Sequence, residues 1–207
     1  MYTPDHFSCE DKETAFRLIE AFPLSTVICQ GNNRPEIAVA PVHLLTDSME
    51  LHGHFAKNNP IVNVLDGAET TFMFYGPQAF ISPSWYETKP HLPTWNYAII
   101  TLNTITTITP HPDQNLASAS KMTEYFENDN ATSYINDSDY QSLIERASTG
   151  IVSFRAKIRS INTKLKLSQN KSVTERRLII RHLRDIGTSS ASQMADLMET
   201  DIEKNTP

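Results

Sequence analysis

The spacing of apolar residues changes period along the chain. Between residues 11 and 22, Phe16, Leu18, Ile19 and Phe22 recur at near-helical intervals and Pro23 closes the run, which predicts a short amphipathic helix capping one end of the fold. The pattern then turns strand-like. Leu24-Ser25-Thr26-Val27-Ile28-Cys29 and Glu36-Ile37-Ala38-Val39-Ala40-Pro41-Val42 suit a pleated sheet, and Gly31-Asn32-Asn33 between them tolerates the left-handed conformations of a tight turn, so a hairpin is expected. Thr46-Asp47-Ser48 predicts a second turn before a strand over Glu50–Ala56. Asn59 and Pro60 then suit the N-cap and first position of a helix reaching Leu65.

Further strands are predicted over residues 71–75, 79–85 and 96–109, helices over 115–126 and 138–147, and a final long strand over Ile151–Lys166. Residues 172–186 and 190–200, parted by Gly187, predict a C-terminal helical hairpin. β-Branched segments with short connections favour an antiparallel barrel, because parallel pairing needs helical crossovers. The expected class is mainly β (α+β), an antiparallel barrel with peripheral helices. A chain of 207 residues holds one sizeable core and an appendage, so residues 1–170 are expected to form the main domain and 171–207 a helical tail packed on it.

Charge refines this picture. Residues 1–150 hold 7 Lys and Arg against 18 Asp and Glu, whereas residues 151–207 hold 11 against 6. A cationic C-terminal region on an acidic body can meet phosphate, of a cofactor or of nucleic acid; the plainer reading is a solvated face on one strand and one helix. No apolar run approaches the roughly 20 residues that span a bilayer, so no membrane span is expected. The N-terminus carries Asp5, Glu10, Asp11 and Glu13 where a secretory signal would be basic and then apolar, and a cytoplasmic protein is expected. Cys9 and Cys29 form no C-x-x-C pair and read as inert thiols.

Four segments carry candidate chemistry. In His52-Gly53-His54-Phe55-Ala56-Lys57-Asn58-Asn59-Pro60 two histidines share one face of a strand, a spacing that can chelate a metal, but a third ligand is missing nearby and hydrogen bonding is the preferred reading. Lys57 and Asn58 stand between the strand end and the helix start, where an ammonium beside exposed N–H groups makes a phosphate site. Ile81-Ser82-Pro83-Ser84-Trp85-Tyr86 and Pro93-Thr94-Trp95-Asn96-Tyr97 put four aromatic residues into thirteen positions. Lys164-Leu165-Lys166-Leu167-Ser168-Gln169-Asn170 ends the last strand with phosphate donors and amides. Its alternative reading is a polar strand end leading to a helix N-cap at Ser172 or Thr174.

In this order the four segments resemble the PaiB-like FMN-binding negative transcriptional regulators, nearly from end to end of the chain. Residues 53–60 match the family pattern G-H-x-A-K/R-x-N-P. The resemblance implies a six-stranded-type antiparallel split β-barrel holding FMN in a cleft of a homodimer. It places Lys57 on the flavin phosphate and Asn58 beside it among the cofactor contacts. Ser82, Trp95 and Asn96 fall at the ring, and Lys164, Ser168 and Gln169 serve as further cofactor contacts. Thr163 and Leu165 stand where the family more often has glycine and an aromatic, and Ala38-Val39 replaces a polar pair before Pro41.

No metal site and no catalytic acid or base is assigned. G-x-S-x-G, Walker and H-E-x-x-H signatures are absent, and only six glycines are present, which excludes the corresponding hydrolase and nucleotide-triphosphatase readings. Arg176, Arg177, Arg181 and Arg184 lie on the first tail helix, whereas the second carries Asp196, Glu199 and Asp201, so any DNA contact is expected through the basic strand and the first tail helix. Three functions follow. The first is an FMN-binding transcriptional repressor; the others are an FMN-dependent oxidoreductase or flavin reductase, and a ligand-binding module that has lost its flavin.

Overall fold

The computed structural model describes residues 1–109, 111–127 and 137–205. Among these residues the architecture is a mostly antiparallel open sheet of the split-barrel kind with six α-helices. Six strands are long: β2 (Leu24–Gln30), β3 (Pro35–Pro41), β5 (Glu50–Ala56), β6 (Ala68–Ile81), β7 (Thr94–Thr109) and β8 (Ile151–Lys166). Two are short, β1 (Ser8–Cys9) and β4 (His43–Leu45). The sheet order is β3-β2-β6-β7-β8-β5-β4, with β1 paired to β8. The helices are α1 (Lys12–Ala21), α2 (Val62–Leu65), α3 (Pro112–Glu127), α4 (Ser138–Ser148), α5 (Val173–Ile186) and α6 (Ser189–Asn205). The chain divides into two compact units. One comprises Phe16–Phe74 and Thr101–Ile161, the other Met1–Ala15, Tyr75–Ile100 and Asn162–Pro207.

In the first unit, strand register decides which side chains fill the core. Val27 faces Ala38 and Ser25 faces Ala40 across the β2–β3 hairpin, and all four are buried. Phe154 on β8 is opposite Gly53 on β5. Its ring stacks on Phe55 at 5.1 Å and tilts against Phe72 at 5.7 Å. The missing side chain at Gly53 is what gives that ring its space: a Cβ there would sit 2.6 Å from Phe154 Cζ. Asn115 of α3 fastens the start of β8, since its Oδ1 accepts the Ser153 N–H at 2.9 Å and its Nδ2 donates to the Ile151 carbonyl at 3.0 Å.

In the second unit the tail helices carry strong local signals. Ser172 caps α5 and forms a reciprocal capping box with Glu175, while Gly187 ends the helix at φ 69°, a left-handed conformation that glycine adopts without a Cβ clash. Ile179, Ile180 and Leu183 of α5 and Ala191, Met194, Ala195, Met198 and Ile202 of α6 are buried. An Arg176–Asp201 ion pair at 2.6 Å joins the two helices.

Four elements differ from the sequence expectation. The predicted strands over 71–75 and 79–85 are one strand, β6, which runs through Gly76-Pro77 and gives way to a 3₁₀ turn, Pro83–Trp85. Proline is tolerated there because β2 pairs with β6 only as far as Phe74, so Pro77 lies beyond that ladder. The helix expected from Pro60 begins two residues later, at Val62. Asn59 Oδ1 accepts the Ile61 N–H at 3.2 Å and so caps a turn ahead of the helix. β1 and β4 had no sequence signal, being two and three residues long.

Candidate functional site

β6 contains the feature that shapes the site. Thr70, Phe72 and Phe74 are buried, then Pro77, Ala79 and Ile81, so the buried face changes parity at Tyr75-Gly76. Gly76, Gln78 and Phe80 consequently share the outward side with Tyr75. On β7, Asn96, Ala98 and Ile100 point inward, leaving Trp95, Tyr97 and Ile99 outward. Between these outward sets lies a groove of about 270 Å³ lined by Tyr75, Gly76, Gln78, Trp95, Tyr97, Ala98 and Ile99. Trp95 is 53% exposed, and Phe80 meets it edge-on at a ring distance of 6.0 Å.

The adjoining strand β8 supplies positive charge. Lys164 and Lys166 place their ammonium groups 5.4 and 5.9 Å from the centre of the Tyr97 ring. Lys166 also donates to the Trp95 carbonyl at 2.7 Å and to the Thr94 hydroxyl, which fixes the start of β7. Burial, with the neighbouring Lys164 charge second, moves the Lys166 ammonium below the ordinary lysine range. Lys164 donates to the Tyr2 carbonyl at 3.2 Å.

The four aromatic residues picked out in the sequence separate into two pairs. Trp95 and Tyr97 line the groove. Trp85 stacks on His182 of α5 at 5.3 Å, and Tyr86 stacks on His91 at 4.0 Å. His91 in turn reaches Lys171 Nζ at 3.1 Å and Glu175 Oε1 at 3.3 Å. Tyr86 thus joins a polar cluster at the start of α5, and Trp85 packs on the same helix further along.

The polar candidates are arranged as follows. Asn96 is fully buried, and its amide exchanges hydrogen bonds with the Ser168 hydroxyl at 3.0 and 3.1 Å. Ser168 has φ 61°, so this pairing holds a non-glycine residue in the left-handed region. Gln169 folds back on its own loop, accepting from the Leu167 N–H at 2.7 Å and donating to the Leu165 carbonyl at 2.6 Å. Ser82 accepts from the Ser84 N–H at 3.2 Å and caps the 3₁₀ turn. Lys57 and Asn58 lie in the other unit, in an exposed turn after β5 where the Lys57 N–H donates to the Gly150 carbonyl at 2.8 Å. Tyr75, Gly76 and Gln78 were missed as groove residues. A glycine inside a strand pattern is the signal that could have found them, since it marks a bulge or a close approach.

The paired histidines have their own consequence. His52 Nε2 meets Glu50 Oε2 at 3.3 Å, and His54 Nδ1 is buried with no hydrogen-bond partner. Burial lowers the pKa of His52 and His54, and also that of His43 on β4. The unfolded chain therefore takes up these protons first, near the ordinary histidine value of about 6.5. Stability is complete above that pH and falls as the pH drops through it. Thermal unfolding followed from pH 8 to pH 5 is expected to show the loss, and His54→Leu to reduce it; an identical pH slope in the variant would remove His54 from the account.

The chain matches the family described as "Putative FMN-binding domain" over residues 1–160. It is 30% identical over 207 residues to protease synthase and sporulation protein PAI 2 of Bacillus subtilis (strain 168), covering 99% of each chain. Among solved structures it is similar to the FAD and heme binding protein from Mycobacterium smegmatis, with a TM-score of 0.62 and 14% identity over 83% of this chain and 78% of that one. It is also similar to the flavocytochrome Anf3 from Azotobacter vinelandii, with a TM-score of 0.60 and 11% identity over 77% of this chain and 69% of that one. At such identities these two likenesses are likenesses of fold.

Proposed function

We infer flavin binding from the premise that this chain belongs to the PaiB-like FMN-binding family, and we assign the flavin ring to the groove beside Trp95. The observation that carries the assignment is the parity change in β6. It brings the bare backbone of Gly76 and the exposed face of Trp95 into one groove, and a flat aromatic ligand fits against such a surface. FMN supplies hydride and electron chemistry when bound, while the protein orients and shields it. Trp95 would cover the ring, with Lys164 as the nearby positive charge. Asn96, Ser168 and Gln169 act by holding the strand ends in place, because their polar atoms already bond within the chain. Lys57 and Asn58 are proposed separately as phosphate contacts, Lys57 being exposed and outside any ion pair among the described residues. Ser82 is retained as a contact of the flavin rim.

The role proposed for the flavin-bound protein is that of a negative transcriptional regulator acting as a homodimer. Two surfaces support it. Arg177 and Arg181 are exposed one turn apart on α5 and suited to DNA phosphates, while Arg184 beside them is held by Glu199 at 3.2 Å. Ile37 and Val39 of β3, with Leu24 of β2, expose an apolar sheet face suited to a second copy of the chain. Among the described residues no helix is long and apolar enough to cross a membrane.

Titration of flavin-stripped protein with FMN, followed by tryptophan fluorescence, tests the reading. Saturation near one flavin per chain is expected. Trp95→Ala should lose most of the quenching, and Lys57→Ala should weaken binding several-fold. Absence of saturable binding at tens of micromolar FMN would sink the flavin assignment, and an unchanged affinity in either variant would remove that residue. Light scattering on the same sample reads the dimer, and a salt-sensitive shift of a promoter fragment reads the DNA contact.

A further inference from the structure

We propose that the unit built from Phe16–Phe74 and Thr101–Ile161 carries a second ligand site, a cavity of about 220 Å³ that takes a small organic anion, a carboxylate or phosphate monoester with a short apolar body. Strand register builds one wall. His43 on β4 is opposite His52 on β5, and His52 is opposite Arg155 on β8, so three nitrogen-bearing side chains form one row across three adjacent strands. The other wall is α3. Gln114, Ser118 and Lys121 recur at helical spacing on the side that lines the cavity.

Charge and hydrogen-bonding capacity converge on this space. Lys121 and Arg155 both line it, and among the described residues neither is engaged in an ion pair. The nearest acidic group to the histidine row is Glu50, whose carboxylate is already occupied by His52 at 3.3 Å and Lys157 at 3.9 Å. An arginine fork matches the two oxygens of a carboxylate or phosphate.

The independent observation is Ser153. It lines the cavity and is only 4% exposed, and its hydroxyl has no hydrogen-bond partner. Buried hydroxyls are nearly always bonded, so this orphan group, set two residues before Arg155 on the same strand face, marks the place of an absent acceptor. The ligand's body is specified by the remaining lining. Leu45, Ala117 and Met122 are apolar, which favours an organic anion over a bare inorganic one. No residue lining this cavity is shared with the groove beside Trp95. This site therefore does not depend on the flavin reading.

The test is titration of the full chain with phenyl phosphate, benzoate and inorganic phosphate, each followed by the imidazole NMR signals of His43 and His52. Saturable shifts are expected with phenyl phosphate or benzoate, and whichever binds more tightly identifies the head group. Inorganic phosphate should bind more weakly than phenyl phosphate. Arg155→Met and Lys121→Met should each weaken binding about tenfold or more, the scale of a lost charged hydrogen bond. Ser153→Ala should weaken it several-fold while leaving the thermal midpoint unchanged or raised, whereas a structural hydroxyl would lower it. Three results would overturn the proposal: no saturable shift with either organic anion, unchanged affinity in both charge variants, or displacement of the bound anion by FMN, which would make the cavity part of the flavin site.

Discussion

Replacing Asp201 by alanine is expected to destabilise the chain by about 3–5 kcal/mol, the cost of leaving a buried charge without its partner. The Arg176 side chain is 6% exposed and that of Asp201 17%. Arg176 Nε has no hydrogen-bond partner, so the guanidinium relies on the single short contact of its Nη2 with the Asp201 carboxylate. Among the described residues no other acidic group pairs with this cation. The pair itself is not a large net stabiliser, because both groups were brought out of water to form it. The double variant Arg176→Met, Asp201→Leu is therefore expected to recover most of the loss, since apolar replacements of buried ion pairs are often neutral or better. Urea denaturation with an unchanged m-value measures both changes. A cost below about 1 kcal/mol for Asp201→Ala would mean that water reaches the guanidinium when the carboxylate is removed.

Gly53→Ala is expected to destabilise the chain by about 2–3 kcal/mol, because it overfills a packed core. The added Cβ would stand 2.6 Å from Phe154 Cζ, 2.9 Å from Phe154 Cε1 and 3.1 Å from the Pro41 carbonyl oxygen. Phe154 cannot swing away freely, since Phe55 and Phe72 pack against it. Phe154→Ala alone should cost about 3–5 kcal/mol through the void it leaves. Together the two should cost at least about 1 kcal/mol less than their sum, because the alanine methyl then enters space the ring has vacated. Strict additivity in a denaturation cycle would show that the clash is relieved elsewhere. The glycine of the His-Gly-His segment is thus explained by its partner strand.

These two cases show where the sequence could be read directly and where it could not. Ser172, Glu175 and Gly187 delimit α5 through contacts within a few residues, and the chain alone reveals them. Strand β8 was equally plain as a long β-branched run. By contrast, β1 exists only because Ser8 pairs with Lys164, a partnership no local pattern encodes. The aromatic segment was legible as aromatic, but its division was not. Trp85 turns to α5 because a 3₁₀ turn follows β6, and Trp95 stays in the groove because β7 alternates. The polar character of Asn96, Ser168 and Gln169 was visible too. That Gln169 bonds its own loop is a local matter, whereas the mutual pairing of Asn96 and Ser168 depends on strand ends meeting across more than seventy residues of chain. The row of His43, His52 and Arg155 was out of reach for the same reason, since it is a product of register.

The change of parity in β6 also acts as a lock against sliding. Were the strand to slip by one residue, Thr70, Phe72 and Phe74 would leave the core while Gln78 and Phe80 entered it, so the error would be penalised at both ends of the strand. A slip of two residues would restore parity but break the register of Thr70 through Phe74 with β2. The offset at Tyr75-Gly76 thus gives β6 two stretches of opposite inward parity, and a one-residue slip is wrong in both.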